Sequence, residues 1–191
     1  ETSVTEQAYI TSWTPDNEQV YIVSNKGDLN LSTLLLMDMK TQKTTKIESD
    51  PKNKVDFGGL FTSDVSRKII STSYTDDKKI YYWKDKNWES NYKYLQSKFP
   101  EREINIQSIT NDEKKLLIAI SGDKYVDEVY FFNTENKELI LQYVPRPDLK
   151  KVEKYLAAMT PIKYKSSDGL EISGYLTIPV GSNGKNLPLI M

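Results

Sequence analysis

Three segments of the 191-residue chain share one pattern. WTPDNEQVYIVS begins at Trp13, FTSDVSRKIIST at Phe61 and ITNDEKKLLIAI at Ile109. Each opens on a bulky apolar residue, followed by Thr, one residue and Asp, then a polar turn and an apolar run. The aspartates Asp16, Asp64 and Asp112 are spaced 48 residues apart both times. A fixed period of this size marks an architecture built from repeated supersecondary units.

Read in order, each period divides into short strands. Gln7 to Trp13, Gln19 to Ser24, Thr33 to Met39 and Thr44 to Glu48 alternate with polar or Pro/Asn/Asp/Gly-containing turns, the signals that bound strands. Four strands joined as a meander make one blade of a propeller. The second period offers Val55 to Phe61, Lys68 to Tyr74 and Lys79 to Lys84, with a less distinct fourth strand in Trp88 to Leu95. The third offers Ile104 to Ile109, Lys115 to Ser121, Glu128 to Asn133 and Glu138 to Gln142. Asp38, Asp85 and Asn133 end the three third strands, so the period extends beyond the first turn of each unit. The repeated Asp reads as a turn former, because Asp bonds its own backbone two residues on.

Composition removes whole classes of chemistry. The chain has no Cys and no His, which excludes thiol catalysis, disulfides and thiolate metal sites, and removes the usual base of a serine hydrolase. Lys+Arg is 26 against Asp+Glu 27, a balance that gives no basic field for nucleic acid or an anionic membrane. The longest apolar run, LSTLLLM from Leu31 to Met37, is far too short to span a bilayer. ETSVTEQ at the start is polar and without basic residues, so no signal peptide is read there. Carboxylates near a rim can bind metal or substrate, and Asp76, Asp77, Asp123, Asp127 and Glu128 are the candidates here. None has the dense alternation of a calcium loop, and a solvated loop face is the commoner role. No catalytic, cofactor-binding or metal-binding residue is assigned, and no cofactor is expected.

After the third period the pattern changes. VPRPDLKKVEKYLAAM, Val144 to Met159, reads as a linker with a short helix, Asp148 its N-cap and Leu149, Val152 and Leu156 at helical spacing. Two alternating runs then flank Asp168-Gly169 between Pro161 and Pro179, a hairpin with a tight turn. GSNGKN is a loop, and LPLIM from Leu187 begins an apolar strand that stops at Met191. A strand interrupted there gives the expectation that the sequence is a fragment.

The stretch MTPIKYKSSDGLEISGYLTIPVGSNGKNLPLIM resembles the start of the α/β-hydrolase domain in the prolyl oligopeptidase family, especially its acylaminoacyl-peptidase and dipeptidyl-aminopeptidase-like branch. The matching positions are Pro161, Tyr164, Asp168, Gly169, Ile172, Gly174, Tyr175, Leu176, Pro179 and Lys185 to Leu189. That family also carries a β-propeller with turn segments like TPDNEQVYIVS. The resemblance is weak over each blade and more specific over the last part of the chain. It implies an all-β fold of about three four-stranded propeller blades, followed by a linker helix and a β-hairpin that begins an α/β-hydrolase domain. The expected boundaries are 1–144 for the partial propeller (blades 1–48, 49–96 and 97–144), 145–160 for the linker and 161–191 for the truncated hydrolase strands. It further implies blades before Glu1, and an oxyanion segment, serine elbow, Asp and His beyond Met191.

On this reading the chain is a non-catalytic fragment of a serine peptidase, and its parent is the enzyme. The propeller would gate the access of peptide substrates to the active site. Loops Asn25 to Asn30, Tyr74 to Lys79 and Gly122 to Asp127, with Glu101, Arg102 and Arg146, are the candidates for contacts to substrate ends. Solvated surface or an interdomain ion pair is the competing role for each. The alternative function is a TolB-like or WD-repeat-like propeller that binds a protein or ligand; a two-carboxylate propeller glycosidase ranks last, since no acidic pair is apparent. Open sheet edges are expected to let the fragment self-associate. The expected setting is soluble, in the cytoplasm or periplasm of a bacterium.

Overall fold

The computed structural model describes residues 5–190. Among the described residues most of the regular structure is antiparallel sheet, in four separate sheets. The chain divides into two compact units, Glu1–Asn91 and Tyr92–Met191. Among the described residues no helix is long and apolar enough to cross a membrane.

In the first unit, Ala8–Trp13 (β1), Gln19–Ser24 (β2), Thr33–Asp38 (β3) and Thr44–Glu48 (β4) form a meander in the order β1-β2-β3-β4. This is the four-stranded plan of a blade. Phe57–Thr62 (β5), Ile69–Thr75 (β6) and Lys79–Trp83 (β7) form a second sheet of three strands. Val23 and Leu34 of the first sheet pack against Phe57 and Tyr74 of the second, with Tyr21, Val55, Leu60 and Tyr82 around them. Phe57 and Tyr82 both meet Tyr74 edge-to-face, with centroids 5.5 Å apart, the favoured aromatic geometry. β5 passes so close to β6 at a bulge that a Cβ on Gly58 would lie 2.9 Å from the Ser73 carbonyl oxygen. Only glycine fits that approach.

The fourth strand expected in Trp88 to Leu95 is instead part of a helix, Lys86–Lys98 (α1). Its start uses the same device as the hairpin turns. Asp38 Oδ1 accepts the amides of Lys40 and Thr41 at 3.0 and 2.8 Å, and there the chain reverses into β4. Asp85 Oδ1 accepts the amides of Asn87 and Trp88 at 2.8 and 3.1 Å, and there the chain enters a helix. What differs is the sequence that follows. TTKIE after the first turn is β-branched, whereas residues 86–98 contain no Val, Ile or Thr. Trp88, Tyr92 and Leu95 recur at helical spacing. Within the first unit, Trp88 meets Phe61 edge-to-face at 5.0 Å.

In the second unit, Glu103–Ile109 (β8), Lys115–Gly122 (β9), Tyr125–Asn133 (β10) and Leu139–Tyr143 (β11) form another four-stranded meander. Its core is Ile104, Leu116, Ile118, Ile120, Val126, Val129 and Phe132, all buried. Tyr94 stacks on Phe132 at 5.9 Å, and Phe99 lies 5.0 Å from Tyr130. Met159–Lys165 (β12) and Glu171–Thr177 (β13) pair as the expected hairpin, with Gly169 at φ 88° in the turn.

The linker differs from its expected form. One helical turn, Pro147–Lys150 (α2), and a 3-10 turn, Glu153–Tyr155, replace a continuous helix, and neither buries a residue. Leu149 and Leu156 are only half-buried and Val152 is exposed, so the helical spacing of the three has too little burial to hold a continuous helix. Asp148 is not the N-cap: Pro147 suits the first helical position, so the cap falls on Arg146 without a side-chain bond. Residues 187–190 carry no strand and are exposed; Met191 lies outside the described residues.

The repeat itself is shifted by one residue in the middle. Thr14 Oγ1 donates to Asp16 Oδ1 at 2.6 Å, and Asp16 Oδ1 accepts the Glu18 amide at 3.0 Å. Thr110 and Asp112 repeat this at 2.6 Å, with the Lys114 amide at 3.1 Å. In both turns the carboxyl is held below its ordinary range, first by the threonine hydroxyl and then by the backbone amide. In the second turn Ser63, not Thr62, closes the loop onto Lys68, and its Oγ accepts the Ser66 amide at 2.9 Å. Thr62 pairs with Ile69 as Trp13 pairs with Val20 and Ile109 with Leu116. The closing residues are therefore Thr14, Ser63 and Thr110, and Asp64 falls one loop position early. Asp16→Ala and Asp112→Ala are each expected to lower the melting temperature by a few degrees, and Asp64→Ala to leave it unchanged. Thermal melts of the three variants, followed by circular dichroism, check this; equal losses at all three sites would refute the shifted register.

Candidate functional site

The candidate contact residues named from the sequence separate into two fates. In the first unit, the loop from Asn25 to Asn30 is tied to the start of β1. The Gln7 amide donates to Asn25 Oδ1 at 2.6 Å, and the Gly27 amide to Glu6 Oε1 at 3.1 Å. The Tyr74 to Lys79 loop is a tight reversal between β6 and β7, closed by the Asp76 amide on the Lys78 carbonyl at 3.3 Å. Tyr74 itself is core, not loop surface.

In the second unit, by contrast, Glu101, Arg102, the β9–β10 loop, Glu128 and Arg146 come together. Glu128, on β10, is the centre. Its Oε2 accepts Arg102 Nη1 at 2.8 Å and the Tyr130 hydroxyl at 3.1 Å, and its Oε1 accepts Lys150 Nζ at 3.0 Å. Both partners of the Arg102–Glu128 pair are largely covered, with side chains 14% and 13% exposed. Arg102 also lies over the Tyr125 ring, 4.1 Å from its centroid. Lys150 bridges onward to Glu153 at 2.9 Å, and Glu153 accepts the amide of buried Val126 at 2.9 Å. Around this centre, Arg146 meets Asp127 at 3.4 Å and Lys124 meets Glu101 at 3.1 Å. Asp123 Oδ2 accepts the Met159 amide at 2.6 Å.

The electrostatics of this cluster describe anchoring. Burial pushes the Glu128 carboxyl up, but the bonds from Lys150 and Arg102 outweigh it and hold the group below the ordinary range. The Val126 amide and then Lys150 hold Glu153 down as well. Burial, followed by the bond to Glu128, pushes Tyr130 up, and Glu153 and Glu128 push Lys150 up. Every shift moves away from neutrality, whereas a general acid or base needs a pKa near the working pH. Among the described residues no group of three or more Asp and Glu is placed to hold a metal ion.

One feature of the first unit was not legible in the sequence. A shallow groove of about 320 Å³ lies between the end of β1 and the β5–β6 turn, lined by Thr11, Ser12, Trp13, Thr62, Asp64 and Arg67 among others. Arg67 Nη1 donates to Asn17 Oδ1 at 3.1 Å along it. Its walls belong to segments 50 residues apart, and no local pattern signals that they meet.

No protein-family model matches the chain, and no curated protein matches it. Solved structures do. One of two prolyl endopeptidases studied for the role of inter-domain dynamics in catalysis and specificity superimposes with a TM-score of 0.54, at 11% identity, over 94% of this chain and 25% of that one. Prolyl oligopeptidase B from Galerina marginata, bound to a 25mer macrocyclisation substrate, gives 0.51 at 14% identity over 87% of this chain and 23% of that one. The same enzyme with a 35mer substrate gives 0.50 at 12% identity, with the same coverage. The chain thus spans about a quarter of the length of these structures. At a coarse level, its fold is that of the corresponding part of a prolyl oligopeptidase.

Proposed function

We propose that the chain is the propeller-side part of a serine peptidase of the prolyl oligopeptidase type, whose blades restrict peptide access to a hydrolase active site outside this sequence. The observation that carries this is the likeness in fold over 94% of the chain, taken with the Asp168-Gly169 hairpin and its flanking Pro161 and Pro179. A sequence without His supplies no Ser-His-Asp triad, so its part in catalysis is to filter. On this reading residues 1–144 belong to the propeller, 145–160 link, and 161–191 are the first strands of the hydrolase domain; the parent belongs to the acylaminoacyl-peptidase and dipeptidyl-aminopeptidase-like branch. Filtering is steric, because a rigid stack of sheets admits a narrow peptide and excludes a folded protein.

The test uses the complete gene product that contains this chain. A fluorophosphonate probe should label one serine outside residues 1–191, and cleavage of fluorogenic peptides should fall steeply with substrate size. A product that neither labels nor cleaves, yet retains a protein or ligand on affinity capture, would overturn the peptidase reading in favour of a binding propeller.

A further inference from the structure

We propose that the segment from Arg146 to Met159 is a releasable clasp, held by charge on Asp123 and the first residues of β10 and able to detach as one element while the sheet beneath it stays folded. Polar bonds tie the segment down at four points. Arg146 on Asp127 fastens the start, Lys150 on Glu128 the middle, Glu153 on the Val126 amide the next turn, and the Met159 amide on Asp123 the end. Neither short turn in the segment contributes a buried residue. No side chain of the segment is fully buried, and only Leu149, Glu153, Leu156 and Ala157 are half-buried, so its attachment follows mainly the strength of its ionic and hydrogen bonds.

The bonding of Glu128 makes release inexpensive. Detaching the segment removes Lys150 from Oε1 only. Arg102 and Tyr130 both act on Oε2, and both belong to the sheet side of the cluster. The covered carboxylate therefore keeps a cation and a hydroxyl donor when the clasp opens. That avoids the heavy cost of leaving a buried charge unpaired. The Lys150 and Arg146 side chains are 40% and 68% exposed, so salt screens the pairs that open more than the Arg102–Glu128 pair that stays. Opening would free the main chain just ahead of β12, and with it the attachment of the hairpin.

Hydrogen exchange followed by mass spectrometry on the whole chain tests this, and it does not depend on the peptidase reading. Raising sodium chloride from about 0.05 to about 1 M is expected to speed exchange several-fold in peptides covering 146–159, with peptides from β8 and β9 unchanged. Glu153→Gln at low salt should produce the same local increase, including the Val126 amide. The salt series on the unsubstituted chain stands even where that variant folds poorly. Exchange in 146–159 that ignores salt would overturn the clasp. So would an increase shared equally by β8 and β9, since the segment would then open only with its sheet.

Discussion

Phe57→Ala is expected to lower the free energy of unfolding by about 3–5 kcal/mol, the range for truncating a buried Phe. Phe57 is 4% exposed and lies where the first two sheets face each other. Its ring meets Tyr74 edge-to-face, and Tyr74 in turn meets Tyr82 in the same way. The neighbours are themselves aromatic or on paired strands, so they cannot collapse into the space left behind. A cavity that persists adds its own cost to the lost transfer energy. Phe57→Leu should recover a large part of the loss by refilling most of the volume. Tyr9→Ala is the control: Tyr9 is half exposed on β1, and its loss should stay within about 0.5 kcal/mol. Urea unfolding of the three variants measures these differences. A Phe57→Ala cost below about 1 kcal/mol, the typical value for a point substitution, would mean that the two sheets do not share a core.

How much of this was legible beforehand follows from the range of each interaction. The strand pattern of the first and third meanders stood in the sequence because alternation and turn residues are local. The Asp168-Gly169 hairpin was legible for the same reason. The helix at Lys86–Lys98 is half visible in the sequence: Asp85 reads as the end of a third strand, but the absence of β-branched residues after it is the stronger sign. The one-residue slip at Ser63 was hidden, since FTSDVSRK contains both a Thr-x-Asp and a Ser that can close the turn. Which of them does so is decided by the pairing of Thr62 with Ile69 across the sheet. The polar contacts of Glu128 join residues 22 and 26 positions away, and composition alone gives no sign of such a meeting. In the sequence Glu128 reads as a carboxylate near a rim, and Arg102 and Arg146 as candidate contacts to substrate ends; the structure brings them together, in bonds to their own chain.

Replacing Glu48 is expected to have the next largest effect, and one that depends on pH. Glu48 ends β4 and reaches across to the second sheet, where its Oε1 accepts the hydroxyls of Thr72 at 2.5 Å and Tyr74 at 3.1 Å. Its Oε2 accepts Lys84 Nζ at 2.6 Å. Thr72 and Tyr74 are each 1% exposed, so Glu48→Ala strands two buried donors, at about 1–3 kcal/mol apiece. Burial, then the charge of Glu48, pushes the Tyr74 hydroxyl far above the ordinary tyrosine range, which keeps it a donor. Glu48→Gln retains an acceptor but loses the charge paired with Lys84. Burial raises the Glu48 carboxyl, yet the bonds from Lys84 and Thr72 prevail and leave it below its ordinary value of 4.5. A carboxyl depressed in the folded state stabilises fully above the unfolded value, and that stability is lost as pH falls through the folded one. The melting temperatures of the unsubstituted chain and Glu48→Gln should therefore differ at neutral pH and converge as the solution is acidified below 4.5. Other carboxyls, Glu128 among them, titrate alike in both proteins and cancel in the comparison. Melting curves that keep a constant separation through the acid range would show that the Glu48 charge adds nothing to the junction between the two sheets.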